Sequence, residues 1–255
     1  MSIFYLEIIL LSLVQGITEF IPVSSSAHLV LISKISEFNI STLLVDVSLH
    51  AGSLIAIITY FWKDLIRILK DKKLFLLIFL GSIPLIAVGL FLYSTELIYN
   101  LRNIEVIAWT TLIFGILLFL ADKRNIEKKL KSDLTIKNIA FIGLAQTLAL
   151  IPGVSRSGIV ITTGRFLKFN RVDAAKISFF LSIPALAGAS FIGVTDILDE
   201  GVSFDYIIIL STLISFIFSF LTIKFLLYFL NKFSLKIFVY YRIFLSFLLL
   251  IITYY

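Results

Sequence analysis

Residues 13–27 read LVQGITEFIPVSSSA, and residues 144–158 read LAQTLALIPGVSRSG. At an offset of 131, Leu13, Gln15, Val23, Ser24 and Ser26 fall on Leu144, Gln146, Val154, Ser155 and Ser157. Pro22 and Pro152 differ by a single position. Each copy runs apolar helix, proline break, serine cluster, apolar helix. Proline removes a backbone donor and disfavours helix in the residue before it. A serine after such a break caps the helix that follows.

The rest of the chain makes these breaks costly. It is 60% hydrophobic, with mean hydropathy +1.07 and 15% charged residues. A soluble domain of 255 residues cannot bury that much apolar surface. The apolar runs lack the alternation of barrel strands, so the spans read as helices. There is no cysteine, which excludes disulfides and thiolate metal sites. The N-terminus has no basic region and no small-residue cleavage site, so the first apolar segment is expected to stay in the protein. The net charge of +6 does not point to nucleic acid, because the bases sit in short loops between apolar runs.

Spans of about 20 apolar residues are expected at 42–62, 74–95, 104–121, 174–195, 206–230 and 236–255. The two repeat regions, 3–34 and 136–168, are split and read as re-entrant helix pairs with tips inside the membrane. Segments 63–73, 122–137, 165–176 and 224–242 hold 19 of the 22 basic residues, whereas 196–205 is acidic. Basic loops go inside. The second pair is flanked by bases and so enters from the inside. Three spans separate the pairs, so the first enters from the outside. The expected fold is an all-α polytopic membrane protein and a single domain. Each half, about 1–121 and about 136–255, is one re-entrant pair plus three transmembrane helices, the second half inverted. Ser82-Ile83-Pro84 and Ser182-Ile183-Pro184 match at a different offset and read as coincidence.

Ionisable groups at membrane depth are functional candidates. They are Glu7, Glu19, His28, Asp46, His50 and Arg156. Arg156 lies between Ser155 and Ser157 where a helix should start. Helix-start N–H groups and a planar guanidinium suit phosphate oxygens. The plainer reading of Arg156 is an ion pair with a carboxylate such as Glu19. Ser24, Ser25 and Ser26 supply more hydroxyls than a cap needs. Glu19 and Gln15 share a helix face, and an oxygen-rich face near phosphate suits Mg²⁺ or Ca²⁺. His28 faces Ser24 and Ser25 and is a candidate nucleophile or general acid or base; its alternative is an interfacial histidine with a satisfied hydrogen bond. His50 and Asp46 read as supporting groups or as a simple helix pair. The copies differ usefully. Leu150 stands at the position of Glu19, and Arg156 at that of Ser25.

These residues together resemble the undecaprenyl-diphosphatase (bacitracin-resistance) family of bacterial membrane enzymes. The resemblance covers nearly the whole chain. It is strongest from Gln15 to His28 and from Pro152 to Gly158, and extends to Asp46–Gly52 and Ser178–Pro184. The family's E/Q-x-x-x-E motif is met by Gln15 and Glu19. Its P-G-x-S-R-S-x-x-T motif is met except at its end, where Val160 stands, with Thr162 a candidate substitute. The resemblance implies hydrolysis of undecaprenyl diphosphate to undecaprenyl phosphate and phosphate, helped by a divalent cation, Mg²⁺ or Ca²⁺. It implies a site open to the outer face of the cytoplasmic membrane. Carried over, Glu19 and Gln15 hold metal, and Glu19, His28, Ser25 and Arg156 are catalytic. Ser24, Ser26, Ser155, Arg156 and Ser157 bind phosphate. Expected partners are undecaprenyl diphosphate and the lipid bilayer, with a homodimer as a further expectation and no nucleic acid. The competing expectation is a transporter or flippase of polyprenyl phosphate or another anion, which the inverted repeat favours on general grounds. An adjacent carboxylate and histidine favour the enzyme.

Overall fold

The computed structural model describes residues 2–35, 42–97, 101, 103–199 and 206–255. All its regular elements are helical. The first break separates α1 (Ser2–Thr18) from α2 (Ser25–Ile35). Then come α3 (Thr42–Tyr60), α4 (Trp62–Lys70), α5 (Lys72–Ser94) and α6 (Ile104–Asp122). A short α7 (Leu130–Asp133) precedes α8 (Ile136–Gln146), which tightens into a 3₁₀ turn at Thr147–Leu150. After the second break follow α9 (Arg156–Phe166), α10 (Arg171–Asp199), α11 (Tyr206–Lys232) and α12 (Lys236–Tyr254). Side-chain caps start several of these helices. Asp71 accepts from Lys73 and Leu74, Asn103 from Glu105, Thr135 from Asn138, and Ser155 from Gly158.

Among the described residues five helices, α5, α6, α10, α11 and α12, are long and apolar enough to cross a membrane. A sixth span depends on α3 and α4, which pass that test together but bend by 73° at their junction. The six stretches expected from sequence fall on these helices. The protein is therefore an all-helical, multi-pass membrane protein. Pro84 and Pro184 lie inside α5 and α10, and neither breaks its helix.

The packing is that of a membrane protein. Large apolar side chains such as Phe79, Ile209 and Phe244 are exposed, while Ser53, Ser211, Ser215, Ser219 and Ser246 are buried between helices. Lipid tails compete poorly with small residues that let helices touch. Ser53 Oγ lies 3.0 Å from Ser219 Oγ, and Ser215 donates to the Leu49 carbonyl at 2.7 Å, joining α3 to α11. Gly143 on α8 sits so close to Gly81 on α5 that a Cβ there would lie 2.5 Å from the Gly81 carbonyl oxygen.

The two breaks share a local geometry. Adding the sequence offset to Ser25–Ile35 returns the bounds Arg156–Phe166. Ser24 and Ser155, at equivalent positions, both take the left-handed backbone region, with φ of 76° and 72°. Non-glycine residues pay about 1–2 kcal/mol to stand there, so both turns need outside support. The Ser24–Ser26 and Ser155–Ser157 hydroxyl pairs are each 3.2 Å apart.

Two bases read from sequence as loop charges are buried within the helix packing. Arg165 is buried in the last turn of α9, paired with Asp122 at 3.6 Å and donating to the carbonyls of Phe169, Asp122 and Arg124. Asp122 also accepts from Arg171 Nε at 2.6 Å and from the Leu235 N–H at 3.0 Å. This knot ties the ends of α6, α9 and α12 together. Arg242 is the second case. It lies within α12 and is completely buried. An apolar helix can hold a charge there because backbone carbonyls from two breaks converge on it.

Candidate active site

The two breaks meet. Between them is a cavity of about 210 Å³, whose polar wall comprises Glu19, Ser24, Ser25, Ser26, His50, Ser155 and Arg156. Arg156, the first residue of α9, reaches across to the other copy and donates from NH2 to Glu19 Oε1 at 2.8 Å. Its NH1 donates to the Ser178 carbonyl of α10 at 3.3 Å. Glu19 Oε2 accepts from Ser25 Oγ at 2.7 Å and from Gln15 Nε2 at 3.0 Å. Both sides of the ion pair are largely buried, at 12% and 7% exposure. A buried charge pair endures only with such added hydrogen bonds.

The second break is held from behind. Thr110 Oγ1 donates to the Pro152 carbonyl at 2.6 Å, and Ser157 Oγ donates to the Ile21 carbonyl of the first break at 2.9 Å. Gly153 has φ of +90°, and a Cβ there would run into Thr110 and the Ile107 carbonyl of α6. Only glycine fits such a turn against such a neighbour.

Beneath both breaks lies Arg242. It donates to the carbonyls of Gly153 at 2.8 Å, Val154 at 3.1 Å, Thr111 at 3.2 Å and Pro22 at 3.4 Å. One guanidinium thus bonds the backbone of both tips and of α6. No carboxylate pairs with it in these bonds; the carbonyl dipoles supply its solvation.

The candidate residues divide by placement. Glu19, Gln15, Ser25 and Arg156 form one network. Ser24, Ser26 and Ser155 line the cavity around it, while the hydroxyl of Ser157 turns back to Ser155 and Ile21. His28 is not on the cavity wall. Its Nδ1 lies 2.7 Å from the Ser24 carbonyl and its ring stacks on Tyr241 of α12. That contact steadies the left-handed turn at Ser24. The histidine on the wall is His50, whose Nδ1 is tied to the Asp46 carbonyl at 2.7 Å. Val160, at the motif's threonine position, is buried, and Thr162 turns its hydroxyl to the Gly158 carbonyl at 2.7 Å. Among the described residues, no three His, Asp or Glu side chains cluster as a metal cage.

The sequence model of the family described as "Bacitracin resistance protein BacA" matches residues 8–248, a stretch that contains both breaks and Arg242. The chain belongs to that family. It is 52% identical over 250 residues to the undecaprenyl-diphosphatase of Pelagibacter ubique, covering 98% of each chain. It is 42% identical over 243 residues to that of Thermodesulfovibrio yellowstonii, covering 93% of each. A third relative, the undecaprenyl-diphosphatase of Erythrobacter litoralis, is 36% identical over 273 residues, covering 94% of this chain and 96% of the relative.

For this member of the bacitracin-resistance family, sequence reasoning passes over Arg242 and favours His28, whereas the histidine lining the cavity is His50. The signal for Arg242 was present: a lone arginine inside the apolar run 236–255 meets the rule that singled out Arg156. No comparable signal separates His28 from His50. Both lie on apolar helices, and only the packing of α2 against Tyr241 turns His28 away.

Proposed function

We propose that this site removes the terminal phosphate of undecaprenyl diphosphate, releasing undecaprenyl phosphate and inorganic phosphate. The shared name of the relatives identifies the reaction class, and with it the recycling of a lipid carrier for cell-wall synthesis and resistance to bacitracin. One observation carries the reading at the level of residues. Glu19 of the first break, Arg156 of the second and Ser25 join in a single hydrogen-bonded group on one cavity wall.

A diphosphate is densely charged, so its cleavage is chiefly a matter of positioning and electrostatic stabilisation. Arg156 offers the planar fork, and its present partner Glu19 holds it aimed into the cavity until phosphate arrives. The Ser25 hydroxyl donates to Glu19, the pairing that an activated nucleophile needs. In this reading Ser25 Oγ attacks the terminal phosphorus and its proton passes to Glu19. The bridging P–O bond breaks, and its electron pair leaves with undecaprenyl phosphate. Water then attacks the phosphoserine phosphorus, the P–O bond to Ser25 breaks, Glu19 returns its proton to Ser25 Oγ, and phosphate is released. Ser24, Ser26 and Ser155 hold the phosphate oxygens.

A divalent cation, Mg²⁺ or Ca²⁺, belongs to the proposal. Gln15 Oε1 is buried without a hydrogen-bond partner beside Glu19. That oxygen, the carboxylate and the diphosphate's own oxygens suit a hard cation, which commonly binds one or two carboxylates plus substrate phosphate. Bound there by Glu19 and Gln15, it would neutralise charge on the diphosphate.

We place the protein in the bacterial cytoplasmic membrane with the cavity open to the outer face, and the two halves as inverted repeats. The concentration of bases in 63–73, 122–137 and 165–176, against the acidic 196–205, supports this orientation. The matched bounds of α2 and α9 and their paired left-handed serines support the repeat. A homodimer stays an expectation, testable by mass in detergent. The deciding experiment is phosphate release from undecaprenyl diphosphate by purified protein with Mg²⁺ or Ca²⁺. Release is expected. No release, together with lipid or anion movement in vesicles, would replace the phosphatase by a transporter.

A further inference from the structure

The cavity's lining also has a hydrocarbon part. Leu85 of α5, Ala149 and Leu150 of the 3₁₀ turn, and Ala185, Leu186 and Ala189 of α10 line the same cavity as Glu19 and Arg156. Leu150 occupies the repeat position of Glu19. The same position in the two copies thus supplies a carboxylate and an isobutyl group to one lining. Ala185 and Ala189 lie four residues apart and share a face of α10. Ala185 is half-buried and Ala189 exposed, so the wall runs outward along the helix. A Cβ added at Gly188 would meet nothing within 4 Å, and one at Gly89 of α5 would meet only Leu150, at 3.6 Å.

Volume limits what the cavity holds. Its 210 Å³ is roughly seven times the share of one liquid water. That accommodates a diphosphate and little more, so a long polyprenyl chain must leave. The polar wall would desolvate against it; the apolar wall would not. We propose that Leu150, Ala185 and Ala189 form the subsite for the first isoprene units, and that the chain leaves along this face of α10 into the bilayer. These residues then set the preference for a polyprenyl ester over a tail-less diphosphate. The proposal rests on the phosphatase reading above.

The test is selectivity in detergent. Compare kcat/KM for undecaprenyl diphosphate with kcat/KM for methyl diphosphate in wild type, Ala189→Trp and Ala185→Phe. Ala189 is exposed, so its variant should fold, which circular dichroism checks. The expected result is at least a tenfold fall in the ratio for Ala189→Trp, through KM, and a larger fall for Ala185→Phe. Phe191→Ala, on α10 but off the cavity wall, keeps the wild-type ratio. If methyl diphosphate turns over too slowly, inhibition of polyprenyl hydrolysis by inorganic diphosphate takes its place. Inhibition that stays within twofold of wild type, while KM for the lipid rises, supports the subsite. An unchanged ratio in both variants, or an equal loss on both substrates, overturns it. Failure of the wild type to hydrolyse any diphosphate would instead overturn the phosphatase reading, so the two failures are distinguishable.

Discussion

Helices α2 and α9 occupy equivalent places in the two sequence copies and have the same length, 11 residues. Their surroundings are opposite. From Ser157 to Arg165 every residue of α9 is buried. In α2, Ser26 is exposed, and Ser25 and His28 are half-buried. The same start, a left-handed serine followed by a short helix, thus serves two ends. Copy two is a fixed frame, walled by α6, α8 and α10, that aims Arg156. Copy one is the face on which hydroxyls stay free enough to meet substrate. A duplicated motif need not duplicate a job, because burial sets what each copy can do.

Removing what joins the copies should break this comparison most severely. Arg242→Leu strips a donor from four carbonyls. At about 1 kcal/mol for each lost bond, roughly 4 kcal/mol of stability should go, and activity with it. Thermal unfolding in detergent measures the first, and phosphate release the second. A stable, active Arg242→Leu protein would show that the tips hold themselves.

Next come the two charges. Glu19→Ala and Arg156→Ala should each lower kcat/KM at least a hundredfold, about 2.7 kcal/mol of transition-state stabilisation. Because the residues are in contact, the double variant should lose less than the sum, with a coupling of about 1 kcal/mol or more. Strict additivity would mean that the pair does not act as a unit.

The frame and the face should then separate. Ser157→Ala removes the bond from the second break to the Ile21 carbonyl and should cost about 1 kcal/mol of stability. Ser26→Ala, at an exposed position, should leave stability within about 0.5 kcal/mol and raise KM. Equal stability losses would erase the contrast drawn between the copies. The smallest effect is expected from Thr162→Val. Its hydroxyl is bonded to its own helix, so activity should stay within about twofold, under about 0.5 kcal/mol. A tenfold loss would restore Thr162 as the replacement for the motif threonine.

Much of the site was legible because it is built from costly residues. Glu19, Arg156 and the serine clusters stand out in apolar surroundings, where each polar group needs a reason. An ion pair between Glu19 and Arg156 is one of the two readings their setting allows, and the structure joins them at 2.8 Å. Helix periodicity gives His28 a face and not what lies opposite that face. Tyr241, more than two hundred residues away in sequence, claims it. Arg165 and Arg242 fall among the loop charges by count, because charge counting does not register depth.

The sequence by itself determined that this is a membrane protein of long apolar helices, interrupted twice by one motif. Hydropathy and proline act locally, so a linear reading captures them. Tertiary structure decided which copy is buried, which histidine meets the cavity, and that a second arginine bonds both breaks. Those outcomes come from contacts between helices remote in sequence. In a membrane such contacts rest on small residues and backbone carbonyls, which leave little trace in a pattern of hydrophobicity.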